Sequence, residues 1–144
     1  MTGLPALRAM TPANLPDVLA LWQTVPEVAL NESDTPEQLA KYLARNPELS
    51  PVAVRNGEVI GAALCGHDGR RGYLNHLAVA APYRKQGLGR ALVEHCLTRL
   101  SSVGVSRCNA FVLPDNPCGQ AFWRRMRFQE KPWPLWQRSF DGAA

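Results

Sequence analysis

Apolar positions recur along the chain with two periods, one helical and one strand-like. Leu15, Val18, Leu19, Leu21 and Trp22 follow helical spacing, and Thr11-Pro12 ahead of them supplies a cap residue followed by proline at the first turn. The same punctuation at Thr35-Pro36 opens a second helix, with Leu39, Tyr42 and Leu43 on one face, ending near Asn46-Pro47. Residues 26–34 between them read as a loop, and residues 4–10 before them as a short strand. Residues 51–55 and 58–66 are apolar runs joined across Asn56-Gly57, a strong hairpin signal. A second turn over residues 67–72 leads into a strand at 73–79, which ends at Ala80-Ala81-Pro82. Residues 87–103 predict an amphipathic helix with Leu88, Ala91, Leu92, Cys96, Leu97, Leu100 and Val103 as its stripe, stopped by Gly104. Residues 107–113 read as a strand, 116–126 as a helix, and the Trp/Pro-rich tail as one or two closing strands.

The order β-α-α-β-β-β-α-β-α-β sets the fold class. Consecutive hairpins give antiparallel pairs, whereas the strand–helix–strand over residues 73–113 requires a parallel crossover. A single mixed, mostly antiparallel sheet with helices on both faces follows: an α/β domain. Its 144 residues fit one domain, taken as 1–144. No window approaches a membrane span of roughly 18 apolar residues, and the first residues lack a basic, then apolar, leader. The expectation is a cytoplasmic protein without membrane partners. Cys65, Cys96, Cys108 and Cys118 include no C-x-x-C pair, so no metal site is expected and the thiols read as reduced.

Charge is divided unevenly. Residues 1–72 hold six basic against eight acidic side chains, and residues 73–144 hold ten against four. Thirteen of the sixteen basic residues are arginines, the type suited to phosphate, so the second half faces an anionic ligand or nucleic acid. The chemistry concentrates at Arg84, Lys85, Gln86, Gly87, Leu88, Gly89 and Arg90, between a strand end and a helix start. Outward N–H groups and the helix dipole favour an anion there, and glycines allow close approach to the backbone. A P-loop string is absent. A dinucleotide fingerprint fails too, with Leu92 in place of its third glycine and Asn109 where an acidic ribose ligand belongs.

Arg84-x-x-Gly87-x-Gly89 after Leu77-Ala78-Val79 resembles the acyl-CoA motif of the GCN5-related N-acetyltransferases (GNAT). The order of elements over residues 5–140 also resembles that family, and the 67–72 turn with the strand after it is similar to its bacterial YpeA-type subgroup. The resemblance implies a GNAT fold whose parallel central strands splay apart to admit acetyl-CoA as cosubstrate. It also implies backbone contacts to pantetheine from Leu77, Ala78 and Val79, and pyrophosphate on the amides of Gln86 to Arg90. Arg84 and Lys85 add charge, and Asn116 matches a pantetheine-contacting position. Trp123 falls where the family usually has a thiol-protonating tyrosine, and it is assigned to the cosubstrate site with ring packing as the alternative. Arg127 stands where the turn before Phe128 usually has glycine.

No strong base stands out. By strand alternation Tyr73, Asn75 and Leu77 share one face and Leu74, His76 and Ala78 the other, unless a bulge flips the parity. Tyr73 and Asn75 are assigned to water or substrate positioning. His76 is able to act as base but reads first as a packed or surface residue, His95 reads as surface, and His67 and Asp68 as turn chemistry. The expected reaction is acetyl transfer from acetyl-CoA to the primary amine of a small molecule or peptide by direct attack. Two rivals stand beside it, a CoA-binding module of weak or no turnover and a nucleic-acid-binding domain, the latter disfavoured because no nucleic-acid motif occurs. Trp133 and Trp136, with Pro132 and Pro134, close the sheet, form a homodimer interface or line an acceptor pocket.

Overall fold

Thr35 Oγ1 accepts a hydrogen bond from the Gln38 N–H at 3.2 Å, the cap expected of Thr-Pro at a helix start. At the earlier Thr-Pro the chain first makes a 3-10 turn, Pro12–Asn14, in which the Thr11 N–H donates to Asn14 Oδ1 at 2.9 Å. A computed structural model describes residues 3–140 of the chain. Its elements are β1 (Leu7–Ala9), α1 (Leu15–Gln23), α2 (Pro36–Arg45), β2 (Pro51–Arg55), β3 (Glu58–His67), β4 (Gly72–Val79), α3 (Leu88–Ser102), β5 (Cys108–Ala110) and α4 (Pro117–Arg125). Two compact units divide at Phe111/Val112; the first holds the sheet with α1 to α3, the second holds α4.

The sheet runs β1-β2-β3-β4-β5, antiparallel throughout except for the parallel β4–β5 pair. The Asn56-Gly57 hairpin forms as expected, with φ of 53° and 75°, values that match the twist of the flanking strands. One face packs on α1 and α2, burying Val18, Trp22, Leu39, Val52, Ala62 and Ala78 together. The other packs on α3 through Ala53, Ile60, Leu88 and Leu92. Trp22 is fully buried, so its truncation to alanine would cost about 3–5 kcal/mol.

Several boundaries differ from the sequence reading. β1 is three residues rather than seven, and β5 stops at Ala110 rather than continuing to 113. A bulge bends β4 just beyond the last β4–β5 register pair, and Pro114 follows closely. On α3, Val93 is buried and Val103 is 53% exposed, a small rotation of the expected stripe. The tail forms no strand among the described residues. Pro132 and Pro134 each lack the N–H a ladder needs, and Trp133 and Trp136 are exposed, which removes the sheet-closing role expected for them.

Candidate functional site

The turn between β4 and α3 combines cationic side chains with a helix start that no side chain caps. A 3-10 turn, Ala81–Tyr83, carries the chain off the sheet, and Arg84 Nε donates back to the Val79 carbonyl at 3.0 Å. Gln86 Nε2 reaches the Pro82 carbonyl at 3.2 Å, so two side chains of the turn brace its own backbone. Lys85 and Gly87 both take left-handed φ, 63° and 89°, and glycine makes the second reversal at no steric cost. Gly87 is the N-cap of α3 and places no side chain over the helix end. The helix ladder begins with the Ala91 N–H donating to Gly87 O at 3.0 Å, which leaves the N–H groups of Leu88, Gly89 and Arg90 without an intrahelical acceptor. An uncapped helix end, with three cationic residues in the same seven, is an arrangement that attracts phosphate.

Beside this turn β4 has an open edge. Its pairing with β5 covers only Gly72↔Cys108, Tyr73↔Asn109 and Leu74↔Ala110. Residues 75–79 are paired with β3 alone among the described strands, so main-chain groups on their other side are available to an extended ligand. Leu77, Ala78 and Val79 lie in this stretch. Ala78 points to the α1/α2 core and Leu77 and Val79 to the α3 side.

The bulge sits at His76, whose φ of 56° is left-handed. A non-glycine residue held there costs about 1–3 kcal/mol, and the surroundings show what holds it. His76 Nε2 lies 2.9 Å from Asp34 Oδ1, and the ring meets Trp22 edge-on with centroids 4.9 Å apart. Asp34 is itself fixed. It ends the 3-10 turn Glu32–Asp34, and its Oδ2 accepts the Asn31 N–H at 3.0 Å. Both side chains are largely buried, at 16% exposure for His76 and 8% for Asp34. With Nε2 committed to the carboxylate, Nδ1 has no partner among the described residues and is the nitrogen left to accept a proton.

The extra residue turns His76 onto the same face as Asn75, so the strand parity flips partway. Both line a pocket of about 450 Å³ between β4 and α2, with Asp34, Tyr42, Lys41 and Arg45. Burial first, then the neighbouring thiols, raises the Tyr42 hydroxyl above its ordinary value, so it stays neutral. The structure brings Asn75 to this pocket but not Tyr73, whose hydroxyl donates to Asp68 Oδ2 at 3.3 Å in the β3–β4 turn. Asp68 Oδ1 accepts the Arg70 and Arg71 N–H groups, which hold the carboxyl below its usual range, and His67 Nδ1 accepts the Gly69 N–H. Turn chemistry accounts for both residues. His95 departs from the surface expectation: its Nε2 is buried without a partner among the described residues, and burial, then Arg99, lowers its basicity.

In the second unit Asn116 caps α4, its Oδ1 accepting the Gly119 N–H at 3.0 Å. Trp123 packs edge-on against Phe122 and Phe128, with centroids 5.2 and 4.8 Å away. Arg127 takes a φ of 68° in the turn before Phe128, the conformation for which glycine is otherwise preferred. Among the described residues no group of three His, Cys, Asp or Glu is placed to hold a metal, and no helix is long and apolar enough to cross a membrane.

Residues 15–128 match the model of the acetyltransferase (GNAT) family, and the chain belongs to that family. As a member it is an N-acetyltransferase. It is similar to an acetyltransferase of Sodalis glossinidius, 27% identical over 113 residues that cover 78% of this chain and 79% of that one. Among solved structures it resembles the ribosomal-protein-S18-alanine N-acetyltransferase of Escherichia coli, with TM-score 0.74 and 23% identity over 95% of this chain and 86% of that one. It resembles equally an aminoglycoside N-acetyltransferase, AAC(6')-Iy, solved with CoA, with TM-score 0.74, 17% identity and 94% coverage of both chains. These structural likenesses are of the fold.

The cationic turn is legible in the sequence as one contiguous string. Asp34 carries no such signal, and His76 reads from sequence as a packed or surface residue before it reads as a base.

Proposed function

We propose that this chain transfers an acetyl group from acetyl-CoA to the primary amine of a small molecule, with His76 as proton acceptor. The observation that carries the reading is the uncapped, cationic start of α3 lying at the end of the β4 stretch whose edge is unpaired. The amides of Gln86 to Arg90 would hold the pyrophosphate, with Arg84 and Lys85 adding charge, and the backbone of Leu77, Ala78 and Val79 would pair with the pantetheine. Support comes also from the CoA bound in the aminoglycoside acetyltransferase that shares the fold. Asn116 and Trp123 are assigned to the same cosubstrate on the family pattern. The match over 15–128 crosses the boundary between the two units, which supports reading 1–144 as one acyltransferase domain. Four unpaired cysteines support a reducing, cytoplasmic setting.

When bound, acetyl-CoA supplies an acyl group on a thioester. The acceptor nitrogen attacks the carbonyl carbon, a C–N bond forms, the C–S bond breaks, and the electron pair leaves on sulphur. His76 Nδ1 takes the proton from the acceptor nitrogen, while Asp34 keeps the ring in the tautomer that leaves Nδ1 open and stabilises the imidazolium that forms. Asn75 positions the acceptor or a relaying water, and Tyr73 is kept as a more remote positioning residue through the turn it anchors. Backbone N–H groups of β4 are the donors available to the developing oxyanion. Indole is not an acid of useful strength, so with Trp123 in the tyrosine position the thiolate takes its proton from solvent.

A thiol-release assay with acetyl-CoA and a panel of small amines tests the reading. Release that depends on both the amine and His76 supports it. Absence of release with every amine, in a protein whose melting temperature CoA still raises, overturns it.

A further inference from the structure

The pocket beside His76 has a charge distribution that selects its occupant. This inference rests on the proposed acetyl transfer and concerns the acceptor. Asp34 is the only acidic residue in the lining, and both of its oxygens are engaged, Oδ1 by His76 and Oδ2 by the Asn31 N–H. Lys41 and Arg45 also line the pocket, one helical turn apart on α2 and therefore on one face. Neither has an ion-pair partner among the described residues. The remaining polar lining, including Gln38, Tyr42 and Asn75, is uncharged at neutral pH. The pocket therefore offers a proton acceptor at the β4 end and two uncompensated cations on the α2 wall. Its volume of about 450 Å³ has room for a small molecule, and it opens to solvent.

We infer that the acceptor is a small amine carrying its own acidic group, a carboxylate or a phosphate, held by Lys41 and Arg45 while its nitrogen is presented to His76. A polycationic amine would place further positive charge against these two residues and be repelled. A charge-assisted hydrogen bond from arginine is stronger than a neutral one, and a carboxylate or phosphate fits its two-pronged donor geometry. The acid then fixes which nitrogen reaches His76, so it acts on selectivity as well as on affinity.

The test compares matched pairs on the full chain: amino acids against their primary amides, and aminoalkyl phosphates against the corresponding amino alcohols. Two readouts are taken, thiol release with acetyl-CoA and calorimetric binding to the CoA-loaded protein. The expected result is at least a tenfold preference for the acidic member in kcat/KM, expressed mainly in KM, with the same order in binding. The stronger of the carboxylate and phosphate arms identifies the acidic group. Lys41→Glu combined with Arg45→Glu, both at exposed helix positions, is expected to abolish or reverse the preference while the CoA-induced rise in melting temperature persists. Acidic and neutral members within twofold of each other, or a preference for polyamines and aminoglycosides, would overturn the inference. So would failure of every acidic amine to bind. Preferential binding without thiol release would instead sink the acetyl-transfer reading and leave the pocket's selectivity standing.

Discussion

Asp34 Oδ1 and His76 Nε2 lie 2.9 Å apart although 42 residues separate them in the chain. The carboxylate comes from a 3-10 turn that its own second oxygen helps to close, and the imidazole from a strand bulge in left-handed backbone. Neither partner is free to relax toward the other, so the pair is organised before any substrate arrives.

Removing the imidazole is therefore expected to affect turnover more than binding. A positioned proton acceptor contributes typically about 10²–10⁴-fold, so His76→Gln is expected to lower kcat at least a hundredfold with little change in CoA affinity. Asp34→Asn is expected to cost less, because the ring remains but its tautomer is no longer enforced. His76→Gly suits the positive φ and is expected to stay folded. Added imidazole would then restore part of its rate, a rescue that a purely structural histidine would not show.

Occupation of the α3 turn is read by thermal stability. CoA at a hundred times its dissociation constant would stabilise the protein by about 2.7 kcal/mol. Gly89→Glu is expected to erase that shift by placing bulk and negative charge at the position proposed for the pyrophosphate. An acidic residue in the first turn of a helix is otherwise favourable, so the variant itself is expected to melt no lower than the parent. An undiminished shift would remove the assignment.

Trp123 tests whether the family's usual acid is needed. Trp123→Phe keeps the aromatic packing against Phe122 and Phe128 and is expected to retain most of the activity. Trp123→Tyr is expected to match or exceed the parent rate, since a phenol is close enough in acidity to a thiol to hand over a proton. A hundredfold loss in Trp123→Phe at unchanged CoA affinity would give the indole N–H a catalytic part.

The thiols predict a pH dependence of a defined sign. Burial, then Cys65, pushes Cys108 up to about 12 from an ordinary 9.0, and hydrogen bonding with Cys65, then burial, raises Cys96 as well. In each case the folded state favours the neutral thiol and the unfolded chain loses its proton first. This stabilisation is complete below pH 9 and is lost as pH rises from there toward 12, a decline to be seen in denaturant midpoints across that window. In the native protein at neutral pH, exposed Cys118 is expected to react with a thiol reagent well before the other three.

What was legible in the sequence was what contiguous residues encode. Asn56-Gly57, the amphipathic pattern of α3 and the 84–90 string each carry their structural meaning within a few residues; the hairpin and the helix form where expected, the stripe of α3 rotated to bury Val93 and expose Val103. The contact of Asp34 with His76 joins residues 42 positions apart and depends on a bulge whose location follows the β3 register; no local pattern encodes either. The tail misled because aromatic residues have strand preference, while its two prolines remove the ladder donors on which a strand depends.

The short β4–β5 pairing has a consequence for the protein's integrity. A stretch of strand with unsatisfied main-chain groups along one side is a template on which another chain can assemble, and natural sheets ordinarily blunt such edges. Here residues 75–79 carry no lysine or proline to do so, and only the last carbonyl, that of Val79, is covered, by Arg84. On the proposed reading the bound pantetheine fills this side in place of a strand. The cosubstrate then guards solubility as well as supplying the acyl group, and a preparation stripped of it is expected to self-associate at concentrations where the loaded protein stays dispersed.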